Sequence, residues 1–137
     1  MLCHDDRMVQ QGLTGRPSED AVVAELRRGG AVFALVHGSR ARGDDRPDSD
    51  LDVAAWWATK PPASFEVSLP AGVDLLVLND APLELAGRVA LDGRLLFDDD
   101  PAQRVRWVAT TRKIYADERP RFERSHREFA ESLRRGR

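Results

Sequence analysis

The sequence contains a single cysteine, Cys3, which excludes an internal disulfide framework and any cysteine-based zinc site. It has no apolar run near the ~18–20 residues that a membrane-spanning helix requires. The opening segment MLCHDDRMVQQ carries acids and no apolar stretch, unlike a secretory signal. No GxxxxGK(S/T) string occurs, so a Walker A phosphate loop is excluded. Internal repeats and low-complexity runs are absent. These absences lead to the expectation of a soluble, cytoplasmic protein with no membrane contact.

What is present supports a folded core. The chain has 137 residues, 42% hydrophobic and 32% charged, with a net charge of −2. That length suits one domain over residues 1–137 and is short for two. The composition argues against wholesale disorder. The near-neutral charge conceals an asymmetry. Residues 1–100 hold 10 basic and 18 acidic residues, whereas residues 101–137 hold 11 and 5. Candidate catalytic carboxylates therefore lie in the first part, and the second reads as a basic helical appendage. Residues 1–16 lack periodicity and read as a loose leader.

Local patterns alternate between helix and strand. Ser18 is a candidate N-cap with Glu19 and Asp20 in the first turn, followed by Val22, Val23 and Leu26 and a stop at Gly29-Gly30. AVFALV (31–36) suits a strand buried on both faces. LDVAAWW (51–57) and VDLLVL (73–78) are two more strands, and FEVSL (65–69) alternates as if PAG turned it back onto VDLLVL. Pro82 opens a helix carrying Leu83, Leu85, Val89 and Ala90 that stops at Gly93, and RLLF (94–97) is a short strand. From Pro101 the pattern is helical, with Pro120 kinking this helix or starting another. Phe122, His126, Phe129 and Leu133 form an amphipathic stripe. The expected fold class is a small α/β or α+β domain, a mixed sheet flanked by helices.

The chemistry concentrates in HGSRARGDDRPDSDLD (37–52). Gly38-Ser39 ends a buried strand, where backbone N–H groups can approach a phosphate unobstructed. Asp50 and Asp52 are two apart at the start of a strand, so they share a face roughly 7 Å apart. Two such carboxylates repel unless a cation lies between them. Hard oxygen donors favour Mg2+, which keeps waters and shares substrate phosphates. Asp74 interrupts an apolar strand, at a desolvation cost. If that strand lies beside the second, Asp74 completes a three-carboxylate cluster. The corresponding chemistry is two-metal phosphoryl or nucleotidyl transfer. Arg40 and Arg42 are near enough in sequence to contact phosphates.

Gly-Ser, ten residues, Asp-x-Asp and a third Asp on a later strand resemble the DNA polymerase β-like nucleotidyltransferase superfamily. At this chain length GSRARGDDRPDSDLD is similar to the minimal nucleotidyltransferases, and more narrowly to the MntA antitoxins of HepT/MntA toxin–antitoxin systems. The resemblance runs from about Ala31 to the stretch 92–97, and more loosely through the last helix with Tyr115. It implies a polymerase β-like core with a C-terminal helix. It also implies that Gly38, Ser39, Arg42 and Ser49 bind the nucleotide, and that Asp50, Asp52 and Asp74 are catalytic and hold two Mg2+ ions, with Asp74 the base. The implied reaction moves AMP from ATP to a hydroxyl, that of a tyrosine, on a partner HEPN-type toxin ribonuclease, silencing it within a heteromeric complex. The chain departs from this pattern in its short, proline-rich stretch between Trp57 and Val73 and in its leader.

Plainer readings compete. Asp48, Asp50 and Asp52 mimic the start of a calcium loop, but Val53 and Thr59 stand where Gly and Glu are needed. Asp44, Asp45 and Asp48 read as solvated loop acids. Asp50 and Asp52 compete with a capped turn, and Asp74 with an edge-strand acid facing water. Arg40 and Arg42 compete with surface charge. His37 reads as a packed, hydrogen-bonded residue, His126 as packing, and Trp56, Trp57 and Trp107 as core or edge packing. The basic tail reads as a solvated face, without direct nucleic-acid contact. The Phe122/Phe129/Leu133 stripe is alternatively a contact for a partner helix. Two rival functions share the sequence: an enzyme modifying a small-molecule hydroxyl, such as an aminoglycoside, and a non-catalytic antitoxin binding module.

Overall fold

Ser18 opens the first helix of the computed structural model, which describes residues 18–38 and 50–136. Its hydroxyl oxygen accepts a hydrogen bond from the Ala21 backbone N–H at 3.3 Å. Glu19 and Asp20 lie at the positive end of the helix dipole, and Arg27 and Arg28 at the negative end. This helix, α1 (Glu19–Arg28), buries Val22 and Leu26. Gly30, at φ +97°, then reverses the chain into β1 (Ala31–His37).

Three further strands complete one sheet: β2 (Leu51–Trp57), β3 (Val73–Val77) and β4 (Arg94–Asp98). The order is β3-β2-β1-β4. β1 is antiparallel to both β2 and β4, and β3 runs parallel to β2. Helix α2 (Leu83–Asp92) precedes β4, and α3 (Pro101–Arg135) follows it. Among the described residues the architecture is a mixed four-stranded sheet with three helices, as the alternation of local patterns leads one to expect.

Alternation along the strands produces two apolar layers. On one side Ala34, Val36, Leu51, Val53, Ala55 and Trp57 pack with Val22 and Leu26 of α1. On the other, Phe33, Leu35 and Ala54 pack with Val89 of α2 and, more peripherally, Trp107 of α3. Phe33 stacks on Trp56 with ring centroids 5.6 Å apart. Asn79 fixes the end of β2: its Oδ1 accepts from the Trp57 N–H at 3.0 Å, and its Nδ2 donates to the Trp57 carbonyl at 2.6 Å. Arg112 Nε donates to the Ala90 carbonyl near the end of α2 at 2.7 Å, tying α3 to it.

The structure corrects four expectations. Residues 65–69 form no strand; a 3-10 turn occupies Ser64–Glu66. A hairpin would have made β3 antiparallel to that segment. Instead 15 residues cross from β2 to β3, the kind of connection parallel strands require, and Val67 and Leu69 pack against the α1-side core on the way. β3 is consequently an edge strand, with Asp74 exposed rather than buried. Pro120 starts no second helix: it lies inside one that runs on to Arg135, flanked by the Tyr115–Phe122 ring contact at 5.9 Å and the Arg119–Glu123 pair at 3.0 Å. His126 is not core packing: it is exposed and pairs with Glu84, Nε2 to Oε1 at 2.8 Å. The physical reason is length. A 35-residue helix spans roughly 50 Å, which outruns the 10-residue α2, so Phe129 and Leu133 stand 66% and 49% exposed.

Candidate active site

Three adjacent strands end at the same edge of the molecule, and their registers decide which side chains meet. His37, last in β1, is the cross-strand partner of Asp52, and Asp52 is the partner of Asp74 on β3. The three residues therefore form a row across the sheet, on the face that α2 and α3 cover further along. Asp52 is half-buried and Asp74 exposed. Asp50, also exposed, immediately precedes β2, two residues from Asp52.

Gly38 closes this corner. It adopts φ +74°, a left-handed conformation that costs other residues about 1–2 kcal/mol. An added Cβ would lie 2.5 Å from Oδ2 of Asp52. The backbone thus approaches the carboxylate as closely as only glycine permits. Ser39, Arg40, Arg42 and Ser49, expected to bind nucleotide or phosphate, lie outside the described residues, as does the segment 39–49 that joins Gly38 to Asp50.

The electrostatics of the row are uneven. Burial lowers the His37 pKa below its usual value, and the charges of Asp52 and Asp74 oppose that shift without cancelling it. Its Nε2 is buried and has no hydrogen-bond partner among the described residues. Packing at the strand end, as expected for this histidine, removes the ring nitrogen from water, and no described residue supplies it a partner. An unsatisfied buried nitrogen costs about 1–3 kcal/mol. Its only sequence signal is a histidine directly before a glycine at a strand end.

Among the described residues, no group of three or more His, Cys, Asp or Glu side chains is arranged as a metal-ligand set. Asp52 and Asp74 stand side by side, with Asp50 at the mouth of the strand. The donor chemistry nevertheless fits a hard divalent cation. Mg2+ is bound through one or two carboxylates and completes its shell with water and substrate phosphates rather than with an all-protein cage.

A family model described as polymerase beta, nucleotidyltransferase matches residues 26–102. That span contains His37, Gly38, Asp50, Asp52 and Asp74. No curated protein matches the sequence. Solved structures do. One is a chain of a toxin–antitoxin complex with AMP-PNP, at 22% identity and TM-score 0.61, covering 80% of this chain and 98% of that one. A chain of an MntA–HepT complex matches at 21% identity and TM-score 0.55, covering 85% and 99%. A third belongs to a tri-AMPylated Shewanella oneidensis HEPN toxin in complex with its MNT antitoxin, at 20% identity and TM-score 0.55, covering 85% and 98%. At such identities these are likenesses of fold.

Proposed function

The chain belongs to the polymerase beta nucleotidyltransferase family, and from that premise we propose that it transfers AMP from ATP to a tyrosine hydroxyl of a HEPN-type toxin, as that toxin's antitoxin. The observation carrying this reading is the pairing of Asp52 with Asp74 on neighbouring strands beside left-handed Gly38. It is supported by two similar folds, one solved with AMP-PNP and one from a complex whose HEPN toxin is tri-AMPylated. No helix among the described residues is long and apolar enough to cross a membrane. Action in the cytoplasm, where ATP and Mg2+ are available, is part of the proposal.

In this mechanism Gly38, with Ser39, Ser49 and Arg42, holds the nucleotide phosphates. Asp50 and Asp52, helped by Asp74, would hold up to two Mg2+ ions, which when bound would supply charge neutralisation on the phosphates. Asp74, exposed at the sheet edge, takes the proton of the acceptor hydroxyl. The hydroxyl oxygen forms a bond to the α-phosphorus as the bond from that phosphorus to the bridging oxygen breaks, and pyrophosphate departs. His37, neutral at physiological pH because burial disfavours its charged form, adds no positive charge beside Asp52.

Intact-mass spectrometry of a HEPN-type toxin co-expressed with this protein tests the reading. One or more added AMP groups on the toxin are expected, and none with the Asp52→Asn variant. A toxin left unmodified but still bound would favour the non-catalytic binding module. AMP found only on added small alcohols would favour the small-molecule enzyme.

A further inference from the structure

Among the described residues β3 has a strand neighbour on one side only. Along its other side runs the crossover segment, and the two leave an open groove of about 510 Å3 lined by Ser64, Phe65, Val67, Leu69, Leu75 and Asp74. Ser64 and Leu75 also line a second hollow of about 280 Å3, which continues past Val77 to Pro82. The trough thus follows the whole free edge of β3. Asp74, the residue assigned as base, is among its lining residues.

Phe65 gives the trough its character. It is 88% exposed, while Val67 and Leu69 just beyond it turn inward onto the core. The turn carrying it is held in place: Glu66 Oε1 accepts from the Ala63 N–H at 2.7 Å, and the Glu66 N–H donates to the Ala63 carbonyl at 2.9 Å. A large aromatic displayed outward on a fixed turn, beside an uncovered strand edge, is the arrangement that recognises an added extended segment. Main-chain hydrogen bonds along the edge give affinity, and apolar contacts with alternate side chains give selectivity.

We propose that this trough is the acceptor dock: an extended segment of the target protein lies along β3, its apolar residues flanking the hydroxyl-bearing residue contact Phe65 and Leu75, and the hydroxyl is presented to Asp74. The occupant follows from the groove's continuity with Asp74, since whatever fills it must bring the reacting hydroxyl. This rests on the transfer reading above and adds where and by what chemistry the acceptor binds.

Fluorescence anisotropy with the full-length protein, ATP analogue and Mg2+ tests the dock, using two labelled peptides, acetyl-Lys-Leu-Tyr-Leu-Lys-amide and acetyl-Lys-Gly-Tyr-Gly-Lys-amide. The leucine-flanked peptide is expected to bind at least tenfold more tightly, and Phe65→Ser to remove at least tenfold of that affinity. Phe129→Ser, an exposed aromatic on the far end of α3, is expected to change nothing. Equal binding of the two peptides, wild-type affinity in Phe65→Ser, or an equal loss in Phe129→Ser would overturn the dock. Labelling with ATP separates this from the transfer reading. Peptides that bind as expected yet never receive AMP leave the dock standing and the transfer reading overturned. AMP transfer that ignores Phe65 and the flanking leucines does the reverse.

Discussion

The two faces of β2 have different work. Leu51, Val53, Ala55 and Trp57 point toward α1, and all four are buried among aliphatic and aromatic neighbours. One residue out of step, Asp52 points the other way, toward His37 and Asp74, while Ala54 and Trp56 on that same face rejoin the core under α2 and α3. A single strand therefore carries a stability face along its full length and, at its first residues, the corner proposed to react. Stability and chemistry should separate cleanly when adjacent residues are changed.

Asp52→Asn should show the largest effect: transfer falls on the order of 10^3-fold, about 4 kcal/mol of transition-state stabilisation. Its melting temperature should stay at or above that of the wild type, because the substitution relieves repulsion with Asp74. A labelled-ATP assay beside calorimetry reads both. Leu51→Ala, one residue away on the opposite face, should invert the pattern. It costs about 3 kcal/mol of stability by denaturant unfolding, and the fraction that remains folded turns over normally. Equal activity losses in the two variants would break the comparison.

Gly38→Ala sits between these extremes. Left-handed backbone strain should cost about 1–2 kcal/mol, and displacement of the Asp52 carboxylate by the new methyl group should lower kcat more than the KM for ATP changes. A variant with wild-type kcat would show that the close approach at Gly38 does not position Asp52. The smallest effect is expected at His37. His37→Leu should raise stability by up to about 1 kcal/mol, since the buried Nε2 no longer goes unsatisfied. Burial lowers the folded-state pKa of His37, so the unfolded chain takes up the proton first. Its contribution is therefore complete above the unfolded value of about 6.5 and declines as pH falls from there toward the folded value. Urea midpoints between pH 7.5 and 5 should show that decline in the wild type and a flatter profile in His37→Leu.

Elements announced by local chemistry were legible in the sequence. Ser18 with its acidic first turn, AVFALV between glycines, and Pro82 through Gly93 each specify their own conformation within a few residues. In residues 65–69, Val67 and Leu69 mimic strand alternation, whereas their inward direction comes from crossing over the α1-side core. Pairing between β2 and β3 is parallel and non-local, and no turn signal encodes it. The row His37–Asp52–Asp74 was only half visible: Asp52 stood out by its motif, and Asp74 as an acid among aliphatics. That His37 Nε2 is buried without a partner among the described residues depends on how three strand ends pack, and that His126 faces water depends on where α2 begins. Phe65 shares the alternation of Val67 and Leu69, which points to one common face; its outward direction comes from the 3-10 turn that carries it.

The central claim is that carboxylates from β2 and β3, set beside Gly38, form one cation-dependent site for ATP. Mn2+ substitutes for Mg2+ at such oxygen sites, and electron paramagnetic resonance reports its binding directly. Titrating Mn2+ into the protein with a non-hydrolysable ATP analogue should give tight, nucleotide-dependent binding in the wild type, weakened at least tenfold in both Asp52→Asn and Asp74→Asn. Binding of unchanged strength in both variants would contradict the claim.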